Sequence, residues 1–186
     1  TGVQTCALPI FKEAVANKTP ILLYGDYDVD GMTSTTMMMR FLTELGAKVT
    51  YYIPHRFKDG YGLSMSVIQR VKDHRIGLLI TLDCGVSSKP EITRLKEETD
   101  CKVIVMDHHT IPEVVPPFDT MINPKVLTET HTFYHLCTAG IVYHFILGYQ
   151  ILNNEKAELD TFSDLAALGT IADRSEEHTS ELQSPC

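Results

Sequence analysis

The stretch PILLYGDYDVDG, residues 20–31, decides how the chain is read: an apolar run that ends in three aspartates at alternate positions and a glycine. Ile21, Leu22 and Leu23 are apolar at successive positions. A strand buried on both faces requires that pattern, and strand length bounded by Pro20 and Gly25 favours it over a helix. The segment therefore predicts a strand over 20–26, with Asp26, Asp28 and Asp30 leaving its carboxyl end. Taken alone, DxDxDG is also the first half of a calcium loop. That loop needs a Glu at position 37, where Met37 stands.

Outward from this stretch, apolar runs alternate with amphipathic ones, the signature of βαβ units around a parallel sheet. Residues 33–45 place Met37, Met38, Phe41, Leu42 and Leu45 on one helical face, and Gly46 stops the helix. Strands are expected over 48–53, 76–82, 102–106 and 120–122, and helices over 64–72, 89–98, 138–152 and 161–171. The fold class is thus α/β, a parallel β-sheet with helices on both faces, followed by the start of a helical connecting region. No internal repeat, low-complexity tract or heptad pattern interrupts it.

Both ends read as foreign to this pattern. Residues 1–10, TGVQTCALPI, can be encoded as ACT GGA GTT CAG ACG TGT GCT CTT CCG ATC. With one further T, the reverse complement reads RSEEHTSELQ, which is residues 174–183. One inverted DNA sequence encoding both ends points to translated sequencing-adapter DNA at 1–10 and 174–186, leaving 11–173 as the domain.

Without the tail's Arg174, Glu176, Glu177 and Glu181, the formal charge moves from -8 to -6. Three of the five cysteines remain, Cys84, Cys101 and Cys137. Their scattered spacing suits a reducing cytoplasm better than a disulfide framework. The longest apolar stretches are strand-length, so no signal peptide or membrane span is expected. About 160 residues suffice for one domain with its own core.

The acids matter more by position than by number. Asp26, Asp28 and Asp30 follow the first strand, Asp83 the third, and Asp107, His108 and His109 the fourth. In an open parallel sheet, carboxyl ends share one edge, where ligands bind at a topological switch point. Carboxylates gathered there raise one another's pKa, and a bound cation removes that penalty. Oxygen donors with one or two imidazoles suit Mn²⁺ or Mg²⁺ better than zinc. Cys84 complicates the set, although its side chain points away from Asp83 if the strand continues. Asp173, at the end of DLAALGTIAD, completes it. Singly, each feature has a plainer reading: Asp83 as a helix N-cap, His108 and His109 as a surface pair. Jointly, at three strand ends of one sheet, those readings lose ground.

GDYDVDG (25–31), TLDCGVS (81–87), VIVMDHH (103–109) and DLAALGTIAD (164–173) resemble, in order, the four motifs of the DHH phosphoesterases. Small-substrate members of that family usually carry a His four residues before the first Asp of DxD; Tyr24 and Asp26 stand at the candidate positions here. DYDVDG is instead similar to the RecJ-type branch, as are IPHRFKDGYGLS (53–64), INPK (122–125) and LCTAGIVYHF (136–145). The resemblance implies two divalent cations, Mn²⁺ or Mg²⁺, held by Asp26, Asp28, Asp30, Asp83, His108 and Asp173, with Asp83 as a bridge. It implies a catalytic His109 facing the scissile phosphate, and backbone-phosphate contacts from Arg56 and Lys125. The expected activity is metal-dependent 5′ to 3′ digestion of single-stranded DNA in repair and recombination, with a single-strand binding protein or helicase as partner. The alternatives are a phosphodiesterase of short oligonucleotides or cyclic dinucleotides, and a non-catalytic scaffold. RecJ-type members carry a further domain and an OB-type module, and no glycine-rich GGGH-like segment occurs here. The chain is therefore read as the catalytic core of a longer enzyme.

Overall fold

A computed structural model describes residues 4–55, 62–157 and 159–182, with side chains over 7–55, 62–157 and 159–173. Five strands, β1 (Ile21–Gly25), β2 (Val49–Tyr52), β3 (Leu78–Leu82), β4 (Lys102–Met106) and β5 (Thr120–Ile122), form one sheet in the order β2-β1-β3-β4-β5. Every pairing is parallel, with Ile21 opposite both Val49 and Leu78, and Ile80 opposite Ile104. The order reverses between β1 and β3, which opens a crevice at their carboxyl ends.

Helices cover both faces, as the apolar runs require. Ile21, Leu23, Leu78, Ile80, Leu82, Ile104 and Met106 point to a layer built by α1 (Gln4–Ala16), α2 (Val29–Glu44), α5 (Thr138–Leu152) and α6 (Ser163–Leu182). The alternate residues Leu22, Tyr24, Leu79, Val103 and Val105 face α3 (Ser66–Asp73) and α4 (Lys89–Glu98). Because successive strand side chains point to opposite faces, a run apolar at every position fills two cores at once.

Expected and observed elements differ mainly at their ends. The expected helix at 33–45 starts four residues earlier, because Asp28 caps it by accepting the Gly31 amide at 2.8 Å. The helix expected over 161–171 does not end near Asp173 but runs on to Leu182, and it packs back against α2 and α5. Helix α1 was not expected at all. Its Phe11 is fully buried, stacked on Phe41 at 6.2 Å and edge-on to Phe145 and Tyr149 at 5.2 and 5.5 Å.

Asp119 fastens β5 to the sheet. Its carboxylate accepts from Lys96 Nζ (2.7 Å), Lys102 Nζ (3.1 Å) and the Val103 amide (2.8 Å). Burial pushes this carboxyl up, but those donors outweigh it and hold it below its ordinary value. A lowered folded-state pKa stabilises above the ordinary carboxylate range and stops doing so in acid. Asp119→Asn is expected to cost about 1–2 kcal/mol near neutral pH, the lysines being partly wet, in urea melts. The deficit should shrink once acid protonates the parent's carboxylate; an equal deficit at both pH values would refute this role.

Candidate metal centre

Three neighbouring strands end in a buried aspartate, and the ladder continues one residue past each strand to hold it. The Asp26 amide donates to Leu82 O, the Asp83 amide to Met106 O and the Asp107 amide to Ile122 O, at 3.0–3.2 Å. Asp26, Asp83 and Asp107 are each 1% exposed. At Asp83 the chain turns through φ +65°, left-handed backbone that Asp tolerates better than most residues. The turn sends successive side chains apart. Asp83 faces the crevice, while Cys84 enters the α3/α4 core, its Sγ 3.8 Å from Tyr24 O.

The expected residues converge from the ends of β1, β3 and β4 and from α2 and α6. Carboxylate oxygens of Asp26, Asp28 and Asp83 lie within 4.8 Å of one another, as do donor atoms of Asp30, His108 and Asp173, and of Asp83, His108 and His109. His108 sits among them, its Nε2 3.3 Å from Asp83 Oδ1, 3.6 Å from Asp173 Oδ1 and 3.9 Å from Asp30 Oδ2. Two glycines make room. An added Cβ at Gly31 would fall 2.6–2.8 Å from the Asp26 backbone. At Gly169 it would fall 2.6 Å from Ala139 Cβ and Thr33 Oγ1, so a bare helix face lets α6 approach and deliver Asp173 one turn later.

Asp107 is not in these groups. Its Oδ1 accepts from the His109 amide (3.1 Å) and pairs with His109 Nδ1 (2.7 Å), and its Oδ2 accepts the Val86 amide at 3.0 Å. Burial raises the Asp107 carboxyl, yet His109 and the two amides bring it below its ordinary value. In turn Asp107 lifts the His109 imidazole above its usual range, against burial.

Of the two expected phosphate contacts, Arg56 lies outside the described residues. Lys125 stacks its ammonium 4.4 Å from the Tyr134 ring centre, in the 3₁₀ turn Pro124–Val126. Asn123 caps that turn and donates to His109 O at 2.9 Å, which ties Lys125 to the crevice. Tyr24 holds the loop at Gly62 and Ser64 opposite, its hydroxyl donating to Gly62 O and accepting the Ser64 amide. Between that loop and the 84–88 turn lies a cavity of about 380 Å³, bordered by His109 and Asp107.

The donor set fits hard divalent cations: carboxylates and imidazoles with no thiol, since Cys84 is turned away. Burial, with Asp30 and Asp28 adding like charge, pushes the Asp83 carboxyl up to about 10 in the ion-free protein.

A model of the DHH family, N-terminal domain, matches residues 20–170. The chain belongs to the DHH family. It is 38% identical over 162 residues to the single-stranded-DNA-specific exonuclease RecJ of Bacillus subtilis (strain 168), a match covering 87% of the chain and 20% of that relative. A crystal structure of exonuclease RecJ bound to manganese superposes with a TM-score of 0.82 at 33% identity, over 93% of this chain and 43% of that one. RecJ from Thermus thermophilus in complex with Mn²⁺ superposes at 0.78 and 30% identity, over 93% and 24%. The DHH chain thus spans about a fifth of the length of its Bacillus relative.

The raised Asp83 pKa makes folding take up a proton between the ordinary value of 3.8 and about 10, so stability falls as pH rises through that window. Asp83→Asn removes the titration and keeps an oxygen acceptor. In chelator near neutral pH the variant should melt above the parent, with the gap closing in acid. Identical melting curves at both pH values would show that Asp83 carries no such burden.

Proposed function

We propose that this DHH domain hydrolyses phosphodiester bonds at a two-cation centre and, within a longer enzyme, digests single-stranded DNA from 5′ ends. The convergence of Asp26, Asp28, Asp30, Asp83, His108 and Asp173 at the β1/β3 switch point carries the reading. These six residues would hold two divalent cations, Mn²⁺ or Mg²⁺, which when bound activate water and neutralise phosphate charge. The manganese- and Mn²⁺-containing RecJ structures support the choice of ion, and the RecJ exonuclease of Bacillus subtilis supports the substrate class.

The chain's own groups have separate tasks. Asp83 belongs to two of the donor groups and is the bridging candidate. His109 has Nδ1 committed to Asp107, so Nε2 is the nitrogen that addresses the scissile phosphate and hands a proton to the leaving oxygen. Lys125 and Arg56 would contact backbone phosphates, which a net acidic chain can bind because affinity depends on the local patch. The cavity beside His109 gives a terminal nucleotide room.

A single-strand binding protein or helicase would present the strand. Among the described residues three buried free thiols, two of them pushed up to about 12 by burial, suit the reducing cytoplasm. Among the described residues no helix is long and apolar enough to cross a membrane. Residues 11–173 are assigned to the phosphoesterase domain and 1–10 and 174–186 to adapter-derived codons. Native codons continuing through Arg174 in the source DNA would refute that assignment.

The intact gene product, assayed on long single-stranded DNA labelled at either end, should digest from 5′ ends with Mn²⁺ or Mg²⁺ and stop in chelator. Asp28→Ala should slow it more than about a hundredfold, beyond the usual cost of losing a ligand's supporting partner. Equal or faster hydrolysis of dinucleotides, with long strands untouched, would replace this reading with a short-oligonucleotide phosphodiesterase.

A further inference from the structure

Helix α5 begins inside the metal centre. The Thr138 amide donates to Asp30 Oδ2 and the Ala139 amide to Asp30 Oδ1, both at 2.7 Å, while the Thr138 hydroxyl donates to Asp83 Oδ1 at 2.9 Å. The first amides of a helix have no partner within it. Cys137, at the N-cap, does not cap the helix with its side chain, so Asp30 takes that place from the first turn of α2.

The hydroxyl is the unusual part. Thr33, Thr35, Thr36, Thr43 and Thr170 return theirs to a carbonyl of their own helix, four residues back. Thr138, the first residue of α5, has no carbonyl of its own helix four residues back, and its fully buried hydroxyl donates to Asp83 on the oxygen that His108 Nε2 approaches to 3.3 Å.

We propose that Thr138 is a positioning residue of the metal centre, its hydroxyl and the α5 amides setting the Asp83 and Asp30 carboxylates in the arrangement that receives cations. This rests on the two-cation reading above. One helix start then fixes a carboxylate from α2 and one from the end of β3. A carboxylate has lone pairs enough for such donors and a cation together.

Mn²⁺ titration of the full chain, following unbound Mn²⁺ by electron paramagnetic resonance, tests this on the parent, Thr138→Val and Thr138→Ser. Valine keeps the shape and amide but loses the hydroxyl. Its Mn²⁺ affinity should fall roughly ten- to hundredfold, as expected when a ligand loses its supporting hydrogen bond. Serine should bind as the parent does. If the valine variant does not fold in chelator, Thr138→Ala removes the same hydroxyl and carries the same expectation. Parent-like affinity without the hydroxyl, or an equal loss in the serine variant, would overturn the role of Thr138 while leaving the metal centre standing. No Mn²⁺ uptake by the parent would overturn both.

Discussion

Placing the carboxylates of Asp26, Asp28, Asp30, Asp83 and Asp173 around one crevice sets like charges together, with Asp26, Asp30 and Asp83 almost wholly buried. Burial, with like charge added to it, pushes the Asp83 carboxyl up, and burial does the same to Asp26. The surrounding architecture can be understood as what holds these groups in place regardless. Ladder bonds continue past the ends of β1 and β3, a left-handed turn at Asp83 aims its side chain, and two glycines let backbone and helix come close. Divalent cations would supply the missing positive charge, and the α5 amides supply part of it within the protein. The marginal stability of a domain this size leaves little room for such a cluster unless it is used.

The sheet was legible because its strands are apolar at every position and end in turn-forming or acidic residues. β4 and β5 and helices α4 and α5 fall where the pattern predicts them. Other boundaries depended on single long-range or capping contacts. The early start of α2 follows from the side chain of Asp28, a residue whose type alone suggested only a ligand. Helix α1 combines Pro9 with an unremarkable local pattern, and its reason to exist is Phe11 filling a space between α2 and α5.

The candidate site shows the same division. Asp26, Asp28, Asp30, Asp83, His108 and Asp173 could be nominated because their chemistry and their places at element ends agree, and these residues do share a crevice. The supporting groups could not. Thr138 lies 55 residues from Asp83, and nothing in CTAG marks a hydroxyl aimed at a carboxylate. Gly169 sits in an ordinary helical pattern and matters only because Ala139 and Thr33 press on it. Asp107 belonged visibly to the acidic cluster, but its work on His109 is a matter of side-chain direction.

Diffraction from Mn²⁺-soaked crystals of this chain, collected to locate anomalous scatterers, tests the two-cation centre most directly. Two peaks about 3.5–4 Å apart are expected, one against Asp26 and Asp28 and the other against Asp30, His108 and Asp173, with Asp83 in reach of both. A single peak, or none within reach of Asp83, would contradict it.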